Sequence, residues 1–111
     1  MITKKEIKSE IRDIKTLMKA MDVVISDREL RNSLILKMAD KMMRLLKTII
    51  KERELTKIGV EYLTETMEGI DSHIFINDWD EKEIFADEHF KITAEINCAF
   101  TEIEVMVLDS N

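Results

Sequence analysis

Residues 21–30, Met21-Asp22-Val23-Val24-Ile25-Ser26-Asp27-Arg28-Glu29-Leu30, end one helical pattern and start another. Upstream, Ile7, Ile11, Ile14, Met18 and Met21 recur at spacings of 4, 3, 4 and 3, a heptad-like apolar seam. Thr3-Lys4-Lys5-Glu6 opens that seam with a capping box, in which the Thr hydroxyl accepts from the Glu6 amide and the Glu carboxylate reaches back. Two consecutive valines then break the phase. Ser26-Asp27-Arg28-Glu29 has the form of a second box, with Ile25 and Leu30 placed as a hydrophobic staple. Beyond it Ile35, Met38, Met42, Leu45 and Ile49 repeat the 3-4 spacing, widened by Leu34, Leu46 and Ile50. The pattern predicts an antiparallel helical hairpin, about 3–22 and 27–54.

At 1.5 Å per residue the first helix spans roughly 30 Å and the second roughly 42 Å. The end of the second helix therefore overhangs its partner, and its broad apolar face needs a further cover. Either the C-terminal half supplies that cover or a second copy does. Met43, Leu46, Ile49 and Ile50 are the expected contacts of a homo-oligomer.

Past Gly59 the periodicity is less decisive. Val60, Leu63, Met67 and Ile70 suit a third helix bracketed by Gly59 and Gly69 as breakers, although the same stretch also alternates. Ile74-Phe75-Ile76 before Asn77-Asp78 reads as a short strand entering a turn. Phe90, Ile92, Ala94, Ile96 and Cys98 alternate with polar residues, Ile103, Val105 and Val107 alternate with Glu102, Glu104 and Met106, and their β-branched side chains favour strands. The competing pattern is one helix through Ile92, Ile96, Ala99, Ile103 and Val107. The expected class is α+β, a helical hairpin packed on a small C-terminal antiparallel sheet, with an all-α bundle as the alternative.

Length allows one domain and one core: at 111 residues there is no room for two. Apolar residues make up 45% and charged ones 36%, too apolar a mixture for intrinsic disorder. No apolar run approaches a membrane span, and the charged start lacks a signal-peptide core, so a cytoplasmic protein without membrane contact is expected. Cys98 is the sole cysteine, which excludes an intrachain disulfide and fits a reducing compartment.

Charge divides the chain. Residues 1–60 hold 15 Lys/Arg against 9 Asp/Glu, and residues 61–111 hold 2 against 14. A basic helical half thus joins an acidic half, which points to contacts within or between chains. Lys37, Lys41, Arg44, Lys47 and Lys51 lie within about 120° on the second helix, interrupted by Asp40. Such a stripe can track phosphates. It can equally be the solvated face of an amphipathic helix, and fourteen carboxylates downstream repel a duplex.

Asp78, Trp79, Asp80, Glu81, Glu83, Asp87 and Glu88 form the densest acidic stretch. It lacks the Gly and ligand spacing of a calcium loop, so no metal is expected. A surface for a basic protein with Trp79 as aromatic anchor suits it better, beside the plain reading of a charged loop whose Trp folds back on the core. His73 and His89 have Asp71 and Asp87 nearby, but nothing supplies a nucleophile or an oxyanion site. Cys98 falls on the apolar phase of its expected strand, as a small hydrophobe. No catalytic residue and no cofactor are expected.

Together these features suggest a small non-catalytic adaptor or inhibitor that engages a basic protein partner through its acidic half. The size and charge fit a phage-encoded inhibitor directed at a host nucleic-acid enzyme. The alternative is a dimeric nucleic-acid-binding or regulatory protein working through the basic stripe.

Overall fold

The computed structural model describes residues 1–85 and 88–109. Two long helices, α1 (Lys4–Val23) and α2 (Arg28–Glu52), form the expected hairpin. Then come α3 (Lys57–Asp71), strands β1 (Ile74–Ile76) and β2 (Lys82–Ile84), and α4 (His89–Ile103), which runs into a π-helical turn at Glu104–Leu108. The architecture is α+β, dominated by helix.

Local chemistry explains where the helices start. At α1 both arms of the capping box form: Thr3 Oγ1 accepts from the Glu6 amide at 3.1 Å, and the Glu6 carboxylate accepts from the Thr3 amide at 3.3 Å. The second start differs from the expected box by one residue. Asp27, not Ser26, is the cap, and its carboxylate accepts from the Leu30 amide at 3.2 Å. An aspartate placed there also carries negative charge to the helix N-terminus, where the helix dipole favours it. Thr56 caps α3 through the Gly59 amide. Gly59 and Gly69 thus lie inside the first and last turns of α3 and do not bracket it. At Gly69 a methyl group would come within 2.8 Å of the Glu95 carboxylate, so the glycine lets that side chain of α4 lie against α3.

α2 is the central element, packing on α1, α3, α4 and β2. One apolar core runs through both halves, with Ile7, Ile14, Ile35, Met38, Met42, Leu46, Ile49, Leu63, Ile70, Ile92, Ile96 and Ile103 excluded from solvent. The end of α2 does not overhang α1, since the Ile2 amide donates to Glu52 at 2.6 Å and Arg53 donates to the Ile2 carbonyl at 3.3 Å. The rest of the broad apolar face of α2 packs on α3 and α4 of the same chain. Leu46 and Ile49 are fully buried there, and Met43 and Ile50 are partly buried against the core. Of the four residues expected at an oligomer interface, only Met43 and Ile50 keep accessible surface.

The sheet is not where the alternating C-terminal residues pointed. Residues 89–108 are helical, and the sheet is the short hairpin at 74–84. Burial gives the reason. Ile92, Ile96, Ala99, Ile103 and Val107 are all buried, whereas strand alternation would have turned Phe90 and Cys98 inward, and both are exposed. A 3-4 stripe facing α2 and α3 outweighs β propensity, which depends on having a sheet to join. β1 and β2 pair antiparallel, with Ile74 opposite Ile84 and Ile76 opposite Lys82. Two short strands are marginal alone. These two are held by Ile84 buried against the core, by packing of β2 on α2 and β1 on α3, and by the Phe75 and Phe85 rings 4.6 Å apart.

Candidate functional site

Residues 77–83 of the acidic stretch form a hydrogen-bonded prong. Asn77 organises the turn between β1 and β2, and each of its polar groups is engaged. Its amide donates to the Glu81 carbonyl (2.9 Å), and its carbonyl accepts from the Asp80 amide (3.1 Å). Its side-chain oxygen accepts from the Trp79 (2.8 Å) and Glu81 (3.1 Å) amides, and its Nδ2 donates to Glu83 at 2.6 Å. Asp80 takes a left-handed backbone, φ 58°, which an Asp tolerates better than most side chains. The pattern is a turn followed by a left-handed residue that restores the strand register.

Asp78, Asp80 and Glu81 in the turn and Glu83 in β2 are consequently exposed close together, with Lys82 as the only cation among them. Trp79 stands at the tip, 84% exposed, and does not fold back on the core. The base is fixed to α2: Lys82 lies 3.8 Å from Asp40, whose other oxygen holds Arg44 at 3.2 Å. Between the prong and the start of α2 runs an open cleft of about 760 Å³, lined by Arg28 and Lys37 on the α2 side and by Glu81 and Glu83 on the prong.

Glu88 does not join the prong. Its carboxylate accepts from His73 Nδ1 at 2.9 Å and lies 3.5 Å from Lys91, joining the end of α3 to the start of α4. The His73 hydrogen bond, aided by Lys91, holds the Glu88 carboxyl below its ordinary value of 4.5. His73 therefore pairs with Glu88 and not with Asp71. Asp87 lies outside the described residues, and with it the suggested pairing to His89, whose side chain is buried.

Cys98 sits on the exposed side of α4, not in a strand. Its thiol donates to Glu102 Oε1 at 3.0 Å, and the Thr66 hydroxyl of α3 donates to the same oxygen at 2.6 Å. That hydrogen bond, then partial burial, then the charges of Glu102 and Glu95 push the thiol above its ordinary value of 9.0, so it stays protonated and a poor nucleophile. The other oxygen, Glu102 Oε2, is buried with no hydrogen-bond partner among the described residues. Among the described residues no group of three or more His, Cys, Asp or Glu is placed to hold a metal ion, and no helix is long and apolar enough to cross a membrane.

The α2 stripe is less open than its spacing suggested. Lys37, Arg44, Lys47 and Lys51 are exposed and Lys41 is half-buried, but Asp40 pairs within the stripe. Glu6 and Glu10 of α1 share a groove with Lys41 and Arg44, and Glu68 and Asp71 of α3 share another with Arg44 and Lys47. Carboxylates thus flank it on both sides.

The structure adds a second basic feature, which was not expected from the sequence. Lys5, Lys8, Arg12, Lys15 and Lys19 of α1 follow spacings of 3, 4, 3 and 4, fall within about 80° of one another, and are all exposed. None of the five forms an ion pair among the described residues. The spacing carries the signal, interleaved with the stronger apolar seam of the same helix. Comparison of the chain with protein families, curated proteins and solved structures finds no match.

Proposed function

We propose that this protein is a small non-catalytic adaptor or inhibitor that engages a basic protein surface through the prong at 77–83. The observation that carries the reading is Trp79, 84% exposed at the tip of a turn organised by the Asn77 hydrogen bonds and flanked by Asp78, Asp80, Glu81 and Glu83. A large apolar side chain presented to water by a hydrogen-bonded turn costs little further backbone ordering on binding, and an aromatic anchor ringed by charge is the usual centre of a protein contact. The carboxylates steer a cationic partner, and the indole face accepts a guanidinium or ammonium. The basic groove of a nucleic-acid enzyme has the matching chemistry. The absence of catalysis is supported by a histidine tied into a structural pair and a cysteine held as a thiol.

Trp79 is the sole tryptophan, so its fluorescence reports on the prong alone. Titration with an oligo-arginine peptide at low salt is expected to shift its emission to the blue. Three exposed charges at about 0.5 kcal/mol each predict that Asp78→Lys/Asp80→Lys/Glu81→Lys weakens binding about tenfold or more. Unchanged affinity in the triple variant overturns the reading. The alternative, a nucleic-acid-binding protein working through the α2 stripe, draws less from the geometry because carboxylates flank that stripe. An oligonucleotide shift at low salt, lost in Lys41→Glu/Arg44→Glu, is the result that favours it.

A further inference from the structure

The α1 ridge has a feature that an ordinary solvated lysine face lacks. Along its side, between α1 and the end of α4, runs a groove of about 210 Å³ lined by Lys8, Ile11, Lys15, Phe100, Glu104 and Leu108. Ile11 and Phe100 form an apolar floor, each 8% exposed, and the Lys15 ammonium lies 5.2 Å from the Phe100 ring centroid. The groove is therefore an apolar slot bordered by cations. Arg12 and Lys19 continue the cationic border along α1, and Glu104 is the one carboxylate in the lining.

The same chain carries a prong with the inverse pattern, an aromatic tip bordered by carboxylates. We propose that the prong of one copy docks on the α1 ridge of a second copy, head to tail, with Trp79 in the slot beside Phe100 and Lys15. In that arrangement Asp78, Asp80 and Glu81 face Lys8, Arg12 and Lys15 of the neighbouring copy. Glu104 is placed to accept the indole N–H, the polar handle a docked Trp must satisfy. The proposal rests on the reading of the prong as a binder of basic surfaces and names the surface it takes.

Charge complementarity between the two halves supplies the argument for a second copy. The ridge makes no ion pair among the described residues, and the prong is the most concentrated acidic stretch of the chain. A prong of one turn and two short strands covers far less than the roughly 800 Å² per partner of a stable complex, so the contact is weak and reversible. Because donor and acceptor surfaces differ, the contact is heterologous, and each added copy exposes a fresh prong or ridge unless the rotation closes a ring.

Light scattering over a concentration series tests this, at about 0.1 M and about 1 M salt, where the screening length falls from about 10 Å to about 3 Å. Mean mass is expected to rise above 13.0 kDa with concentration at the lower salt and to return to 13.0 kDa at the higher. Lys8→Glu/Lys15→Glu and Asp78→Lys/Asp80→Lys/Glu81→Lys should each remain monomeric, and an equimolar mixture of the two should associate again, because each reversed surface then finds its complement. A wild-type chain that stays at 13.0 kDa throughout overturns the proposal, as does a mixture that fails to associate. The ridge variant keeps an intact prong, so the oligo-arginine titration separates the two readings. Peptide binding by that variant without any wild-type self-association removes the second copy as partner and leaves the prong's function standing. Loss of peptide binding in the wild-type chain removes both.

Discussion

The two halves of this molecule bury different things. The α1–α2 hairpin puts only apolar side chains inside, from Ile7 to Ile49, on a 3-4 seam. The half formed by α3, the β hairpin and α4 also encloses His89 and Thr66, whose hydroxyl donates to Glu102, and holds the His73–Glu88 pair at its rim. An apolar seam tolerates any equivalent packing, whereas a buried polar group accepts only a geometry that satisfies it. The first half is therefore specified by pattern and the second by particular contacts.

The contrast fails outright if the two halves prove to be separate folding units. With one shared core, Ile49→Ala and Ile96→Ala should each cost about 2–5 kcal/mol and lower a single urea transition. Two separate transitions would show that the halves do not fold as a unit, and a loss below about 1 kcal/mol for either would show that its side chain is not core.

A more moderate loss probes the polar contacts of the second half. Glu102→Ala removes the acceptor shared by Thr66 and Cys98 and should cost about 1–3 kcal/mol, chiefly by leaving the buried Thr66 hydroxyl without its partner. The same variant lifts the main cause of the raised Cys98 thiol, so alkylation at mildly alkaline pH should accelerate. Unaltered alkylation would mean that Glu102 does not control the thiol.

The mildest change concerns acid. Glu88 is held below its ordinary value of 4.5 in the folded chain, so its contribution to stability is complete above 4.5 and is lost as pH falls through the lower folded value. His73→Ala removes the principal cause of that shift. Its stability should fall less steeply than that of the wild type over the acid range, measured by urea denaturation at successive pH values. Parallel curves would assign the acid limb to other carboxylates.

The helical hairpin was legible because its signals are local and repeated. Thr3 and Glu6 name a cap, the Ile and Met spacing names a face, and Val23-Val24 marks the break. The short strand at Ile74–Ile76 was legible for a similar reason, since a β-branched and aromatic run meets Asn-Asp. Residues 90–107 were not legible. Their apolar residues satisfy both a period of two and a period near 3.6 over part of the stretch, and only the partner surface decides between them. The acidic composition of the prong was visible too, but not the exposure of Trp79, because the same residues describe a loop that folds inward.

By itself the sequence determined the two helices of the hairpin, the short strand running into an acidic turn and the division of charge, features that are read within a few residues or from composition. It only favoured helix over strand for the third segment. Tertiary structure alone decided that α2 is covered by its own chain, that residues 89–108 coil into helix, and that Trp79 points to water. Those outcomes depend on which surfaces meet at long range. Burial against α2 and α3 fixes the phase of α4, and the Asn77 hydrogen bonds, with the base of the hairpin anchored through Ile84 and Asp40, fix the direction of the prong.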